Sequence, residues 1–386
     1  MIKLTILIFS LLIKLTYSNE AISKVWTSKN KWNNNWEKKY SDWVENKVKT
    51  TIFTTGKWKD IETDCADAIY ITRAIFAYEN SLPFEFRNPN KYGQRFSNKI
   101  TQFNKFTKKE DLRFRKFITW MNRLLSTYTL PYDTYSPEIS KGSVKPGDSF
   151  LLHHNHVYLI KSIDAFGITK LLSSTVPSKV RTLDLEFLVP EVDDETMITG
   201  LSGFRAWRWP NQLFWSKNKL KRKKLYSDTQ YNLYADSKKD KENSFEDLIS
   251  LRLSGGIRET AEKKIKRYMD HTVQQILERV SVVNEGYRYT KNLGRKLTKT
   301  EFYNYSTPSR DNNLVASLNK LVELNSDFTH KHNYKVDILK DSLKDQTFEI
   351  KKGIKINLFK FINDIYEHEV VLGSDPYLSI EKRWGI

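Results

Sequence analysis

The stretch Thr63-Asp64-Cys65-Ala66-Asp67-Ala68-Ile69-Tyr70 opens an apolar run that continues to Tyr78, and it holds the only cysteine of the 386-residue chain. Asp64 or Thr63 can serve as the N-cap of a helix whose body, with Ala66, Ile69, Ala74, Ile75, Phe76 and Ala77, is apolar enough to be buried. Cys65 then falls in the first turn. Unpaired backbone N–H groups and the positive end of the helix dipole favour a thiolate there, which suits a cysteine meant to react. Taken alone, a single cysteine reads first as a small hydrophobe of a core. A second stretch, far downstream, turns the reading towards chemistry.

That stretch is Lys145-Pro146-Gly147-Asp148-Ser149-Phe150-Leu151-Leu152-His153-His154-Asn155-His156-Val157-Tyr158-Leu159-Ile160. It predicts a turn, a strand, a tight connection at the histidines and a second strand beginning at His156. A thiol nucleophile needs an imidazole to take its proton, and the two usually meet in space while lying far apart in sequence. Cys65 at a helix start and His156 at a strand start would meet in that way.

A cysteine after Asp at the head of a buried helix, followed by a Pro-Gly-Asp-led strand and a strand starting His-Val-Tyr-Leu-Ile, resembles the NlpC-type cell-wall peptidases. These are papain-like cysteine enzymes that cut peptide bonds in peptidoglycan. The resemblance covers residues 58–180. It implies an α+β fold in which N-terminal helices pack on an antiparallel sheet, with Cys65 as nucleophile, His156 as base and no cofactor or metal. It also implies a third polar residue on the strand after the histidine strand. That strand reads as residues 168–172 running into Ser173-Ser174-Thr175, and Ser173 takes the position. His156 follows Cys65 by 91 positions, more than the compact family domain needs, so a helical insertion is expected around residues 87–140.

Residues 1–18 carry Lys3, an apolar stretch from Leu4 to Ile13, and Thr16-Tyr17-Ser18 before a polar start. This is the pattern of a secretory signal peptide, too short and too interrupted by Lys14 to span a membrane. The protein is therefore expected in the periplasm or secreted, with no transmembrane anchor. A lone cysteine allows no internal disulfide, so stability must come from the core, which 39% hydrophobic and 13% aromatic residues can supply. Loss of Lys3 and Lys14 lowers the formal charge from +18 to +16. Such an excess suits an anionic partner, and it is also a common neutral trait of lysine-rich exported proteins. With export, peptidoglycan or another anionic cell-envelope polymer is the expected partner and nucleic acid is not.

The remaining chain divides by pattern. Trp32, Trp36, Tyr40 and Trp43, continued by Val44 and Val48, lie on one helical face and are expected to pack on the catalytic domain. Thr107 with Glu110 makes a capping box that opens an insertion helix through Phe114, Phe117, Ile118 and Met121. Residues 179–183 read as a strand, and Gly203-Phe204-Arg205-Ala206-Trp207 as an edge strand closing the sheet. The catalytic domain is expected over residues 19–216, a basic polar linker over 217–243, and a mainly helical region over 244–386. In that region Ser244 and Asp247 cap a short helix, a longer one spans 257–286, Thr307-Pro308 starts another, and a last one spans 358–366. No reactive cluster occurs there, so this half is expected to dock on or target the first. Three function classes fit: a peptidoglycan peptidase or amidase, a transglutaminase-like acyltransferase using the same Cys–His pair, and a non-catalytic wall-binding protein on the same scaffold.

Overall fold

A computed structural model describes residues 24–106, 110–187, 192–306, 314–315, 317–321, 323–324, 342–351, 353–366 and 376–384. The signal segment 1–18, the Thr107 cap and the Thr307-Pro308 helix start lie outside the described residues.

The chain is α+β. Helices α1 (Asn34–Lys47), α2 (Cys65–Glu79) and α3 (Glu110–Asn122) come first, with a small two-stranded pair, β1 (Glu85–Arg87) and β2 (Arg95–Ser97), between α2 and α3. Then follow β3 (Thr134–Tyr135), β4 (Ser149–Leu152), β5 (His156–Ile163), β6 (Thr169–Ser173), β7 (Asp184–Glu186) and β8 (Gly203–Trp207). These six form an antiparallel sheet in the order β3-β8-β4-β5-β6-β7.

Both faces of the sheet are covered. Alternation along β5 sends Val157 and Leu159 into one core with α1, α2 and α3, and Tyr158 and Ile160 into a second core on the other face. In the first core α2 is buried along nearly its whole length, from Cys65 to Ala77, which is why its sequence lacks a polar face. Its one internal cation, Arg73, is 3% exposed and is satisfied by a two-pronged pair with Glu37 of α1 at 2.8 and 2.9 Å. The guanidinium also lies 3.5 Å from the Trp32 ring centroid and 4.4 Å from that of Tyr40. The aromatic face of α1 is thus packing surface, as its spacing predicts.

The second core corrects the expected linker. Residues 217–243 hold two helices, α4 (Lys217–Arg222) and α5 (Thr229–Ser237), followed by α6 (Phe245–Ser254). Leu233, Ile249 and Leu253 pack on Phe150, Ile160, Leu171 and Phe204 of the sheet. Gln230 fastens α5 to β8: its carbonyl accepts from the Phe204 N–H at 2.6 Å, and its amide donates to the Phe204 carbonyl at 3.1 Å and to Ser136 Oγ at 2.5 Å. The basic residues are the solvent side of these helices, so a run of lysines concealed a buried face. The sheet domain therefore extends past residue 216 to the end of α6.

Two further expectations shift. β8 is not an edge, because two-residue β3, too short to show a period, lies outside it. Residues 179–183 contribute one isolated bridge, Thr63 to Lys179, and the strand proper begins at Asp184. Beyond α6 the long helix α7 (Ala261–Leu293) runs through the buried Gly286, where a stop was expected, and ends at Gly294 with φ 66°. Packing outweighs the modest helix cost of an internal glycine. Tyr268, Met269, Ile276, Val280 and Val283 of α7 form a third core with Phe348 and Ile350 of β9 (Thr347–Lys351), Ile356 of β10 (Ile354–Asn357), and Leu358 and Phe361 of α8 (Leu358–Tyr366). Among the described residues no helix is long and apolar enough to cross a membrane.

Candidate active site

The start of α2 is built by Asp64 and Asp67. Asp64 accepts from the Asp67 N–H at 3.0 Å and Asp67 accepts from the Asp64 N–H at 3.1 Å, a reciprocal cap that fixes Cys65 between them. Cys65 is buried with Val157 of β5 in the first core, and the Ala66 and Val157 N–H groups favour its anion.

The direction of the Val157 N–H follows from the ladder. Ile160 exchanges its hydrogen bonds on the β4 side, with Asp148 and Gly147 at 2.8 Å each. Backbone groups alternate along a strand, so those of Val157 turn towards β6. The register Leu159–Leu172 would set Val157 opposite residue 174. However, β6 ends at Ser173 and Ser174 turns away to Thr63, its hydroxyl donating to the Thr63 carbonyl at 3.0 Å. Cys65 packs in the same core as Val157, beside this end of the strand.

The thiol is not the thiolate expected from the helix dipole. Burial first, then the Asp64 carboxylate and that of Asp67, push Cys65 up to about 12, against the opposing pull of the Ala66 and Val157 N–H groups. Two capping carboxylates offset the positive helix end that would favour the anion. Asp67 is itself pushed up to about 8, by burial and then by Asp64. At neutral pH the sulfur therefore carries its proton and needs a base to remove it.

His156 heads β5, half-buried, with its ring edge-on to Tyr158 at a centroid distance of 4.5 Å. The Tyr158 phenol is held well above its ordinary value by burial, then by Glu186, Glu278, Cys65 and Asp184. The structure thus brings Cys65 to Val157 on the strand that His156 begins, whereas the His156 ring lies with Tyr158, which alternation places towards the other face. Ser173 is buried on β6, and its hydroxyl donates to Glu186 at 3.3 Å. That proton is engaged by the Glu186 carboxyl group, leaving Ser173 only lone pairs to offer an imidazole. His153 and His154 lie in the hairpin connection, closed by the Asn155 N–H to the Leu152 carbonyl at 3.0 Å. His154 adopts φ 70°, a backbone usually left to glycine, with its ring 4.2 Å from Tyr128 and 3.9 Å from His153.

Several residues at the site escaped the sequence pattern. Residues 174–179 brace the start of α2: Thr63 and Lys179 exchange backbone hydrogen bonds at 3.0 and 3.2 Å, and Ser178 Oγ donates to Asp67 at 3.2 Å. At the end of α3, Asn122 Nδ2 donates to the Glu62 carbonyl at 3.3 Å, so the insertion adjoins the cysteine. The Asp-x-x-Asp cap was readable, whereas the loop contacts span more than 100 positions and left no local trace. Among the described residues no three His, Cys, Asp or Glu side chains gather to hold a metal. Compared with family models, with curated proteins and with solved structures, the chain matches none.

Proposed function

We propose that the protein is an exported cysteine peptidase or amidase with a papain-like layout, acting on peptide bonds of peptidoglycan or its fragments. The observation that supports this reading is the seat of Cys65: a cysteine in the first turn of a buried helix that packs on the strand His156 opens.

The chemistry follows from the protonated thiol. His156 takes the proton as the sulfur attacks the peptide carbonyl, and the imidazolium returns it to the leaving amine. Water, deprotonated by the same imidazole, then hydrolyses the thioester. With a thiol this basic, proton removal accompanies attack and no standing ion pair precedes it. The formal charge of +16 left without Lys3 and Lys14 suits the carboxylate-bearing wall polymer as substrate. Incubation with purified peptidoglycan should release new amino groups, and Cys65→Ala, folded by circular dichroism, should release none. A folded Cys65→Ala protein that still cleaves would overturn the assignment.

A further inference from the structure

Helix α7 carries two contacts and one charge effect along one side. Arg267 Nη1 donates to the carbonyl of Phe187, just past β7, at 3.1 Å. Glu278 acts on the Tyr158 phenol, and Glu285 forms an ion pair with Lys179. The spacings of 11 and 7 residues each return to nearly the same helix face. The helix therefore runs along the β7 edge of the sheet from the end of that strand to the loop at the cysteine, while its other side closes the third core.

Lys179 is the junction. Its backbone is joined twice to Thr63, two residues before Cys65, and its neighbour Ser178 bonds to Asp67, two residues after. Ser174, at the other end of the loop, is bonded to Thr63 through both its hydroxyl and that of Thr63, at 3.0 Å each. The loop thus brackets Cys65 on both sides, and the residue is 8% exposed. What anchors the loop from outside is a side chain 106 positions away.

We propose that Lys179 and Glu285 are positioning residues for the cysteine site: through this pair the C-terminal helix holds residues 174–179 closed over Cys65 and sets its access. The claim rests on Cys65 as the reactive group of the proposed function. Its readout, alkylation of one thiol, does not require that activity.

Because the chain has one cysteine, mass change on reaction with iodoacetamide reports Cys65 alone. With the full chain, Lys179→Glu and Glu285→Lys should each raise the alkylation rate roughly fivefold, the scale of one partly exposed ion pair. The double charge swap should return it towards the starting rate, with thermal unfolding of all four proteins followed in parallel. A contact that merely supports the fold would move the unfolding temperature and leave the rate at matched stability unchanged. Should a single variant fail to fold, a salt series on the unaltered chain gives the same test, since screening should raise its alkylation rate. Single variants that fold and react at the starting rate, a swap that restores nothing, or a salt-independent rate would each overturn the proposal. Unchanged peptidoglycan cleavage would instead bear on the function alone.

Discussion

Replacing Gln230 by leucine should destabilise the sheet domain by about 3–4 kcal/mol, because two buried backbone groups lose their partners at ~1–3 kcal/mol each. Gln230 is 0% exposed. Its amide closes a ring of bonds with the N–H and carbonyl of Phe204, at 2.6 and 3.1 Å, and no neighbouring group replaces them when the side chain becomes apolar. Ser136 Oγ, 2.5 Å from Gln230 Nε2, loses its donor as well. The space around this contact is tight: a Cβ on Gly203 would stand 2.1 Å from Gln230 Oε1, so the strand cannot shift inward to recover a bond. For a domain of this size ~1 kcal/mol corresponds to ~2–4 °C, and the unfolding midpoint should fall by about 6–16 °C. Asn232→Ala, exposed on the same helix, is the control and should stay within about 0.5 kcal/mol. Thermal unfolding by circular dichroism measures both. Equal midpoints for the two variants would refute the claim that residues 217–254 belong to the sheet domain. By the same reasoning a chain ending near Ser216 should fail to fold, since it lacks α5 and α6.

Two further effects are expected. Arg73→Met should cost about 3–5 kcal/mol by leaving Glu37 without its buried partner, and Arg73→Lys should recover little, because an ammonium reproduces neither the two-pronged geometry nor the stacking on Trp32; urea unfolding of the three proteins reads this. Asp148 and Glu186, both pushed up to about 8 by burial, bind protons in the folded state that the unfolded chain has already released. The stability they contribute is full below about pH 4 and is lost as pH rises through about 8. His271, pushed down to about 3 by burial and Arg267, acts oppositely, its contribution being lost as pH falls from about 6.5. Between pH 6.5 and 8 the carboxyl groups dominate, so the midpoint should decline there. Asp148→Asn, which keeps an acceptor for the Lys145 N–H at 2.9 Å, should flatten that decline.

The parts of the fold that show in the sequence are those held by short-range pattern. The Asp64 cap, the uninterrupted apolar body of α2, the aromatic spacing of α1, the histidine hairpin and the Ser244 cap all follow from residues within a turn or two of one another. What escaped was set by partners far along the chain. Lysines at 217–224 mark a solvated face but do not show that Leu220 and Leu233 are buried behind it. Gly286 reads as a helix stop, yet the packing of Val280 and Val283 carries the helix through. At the candidate site the position of Cys65 was legible and its protonation was not. The helix dipole was inferred from one end of one element, whereas burial and the paired Asp64 and Asp67 carboxylates control the thiol. Ser173 was placed on the right strand, but its donor is directed by Glu186, 13 residues further on.

The central claim is that His156 draws the proton from Cys65 as the sulfur attacks. The direct measurement is the pre-steady-state burst of nitrophenol from a p-nitrophenyl ester, with one acyl group located on Cys65 by mass spectrometry. The account predicts a burst of one equivalent whose rate rises with pH as an imidazole loses its proton, and a loss of about 10²- to 10⁴-fold in His156→Ala with the fold unchanged. It also predicts that His154→Ala retains the burst. Acylation of Cys65 at an equal rate in folded His156→Ala, with the same pH dependence, would contradict it.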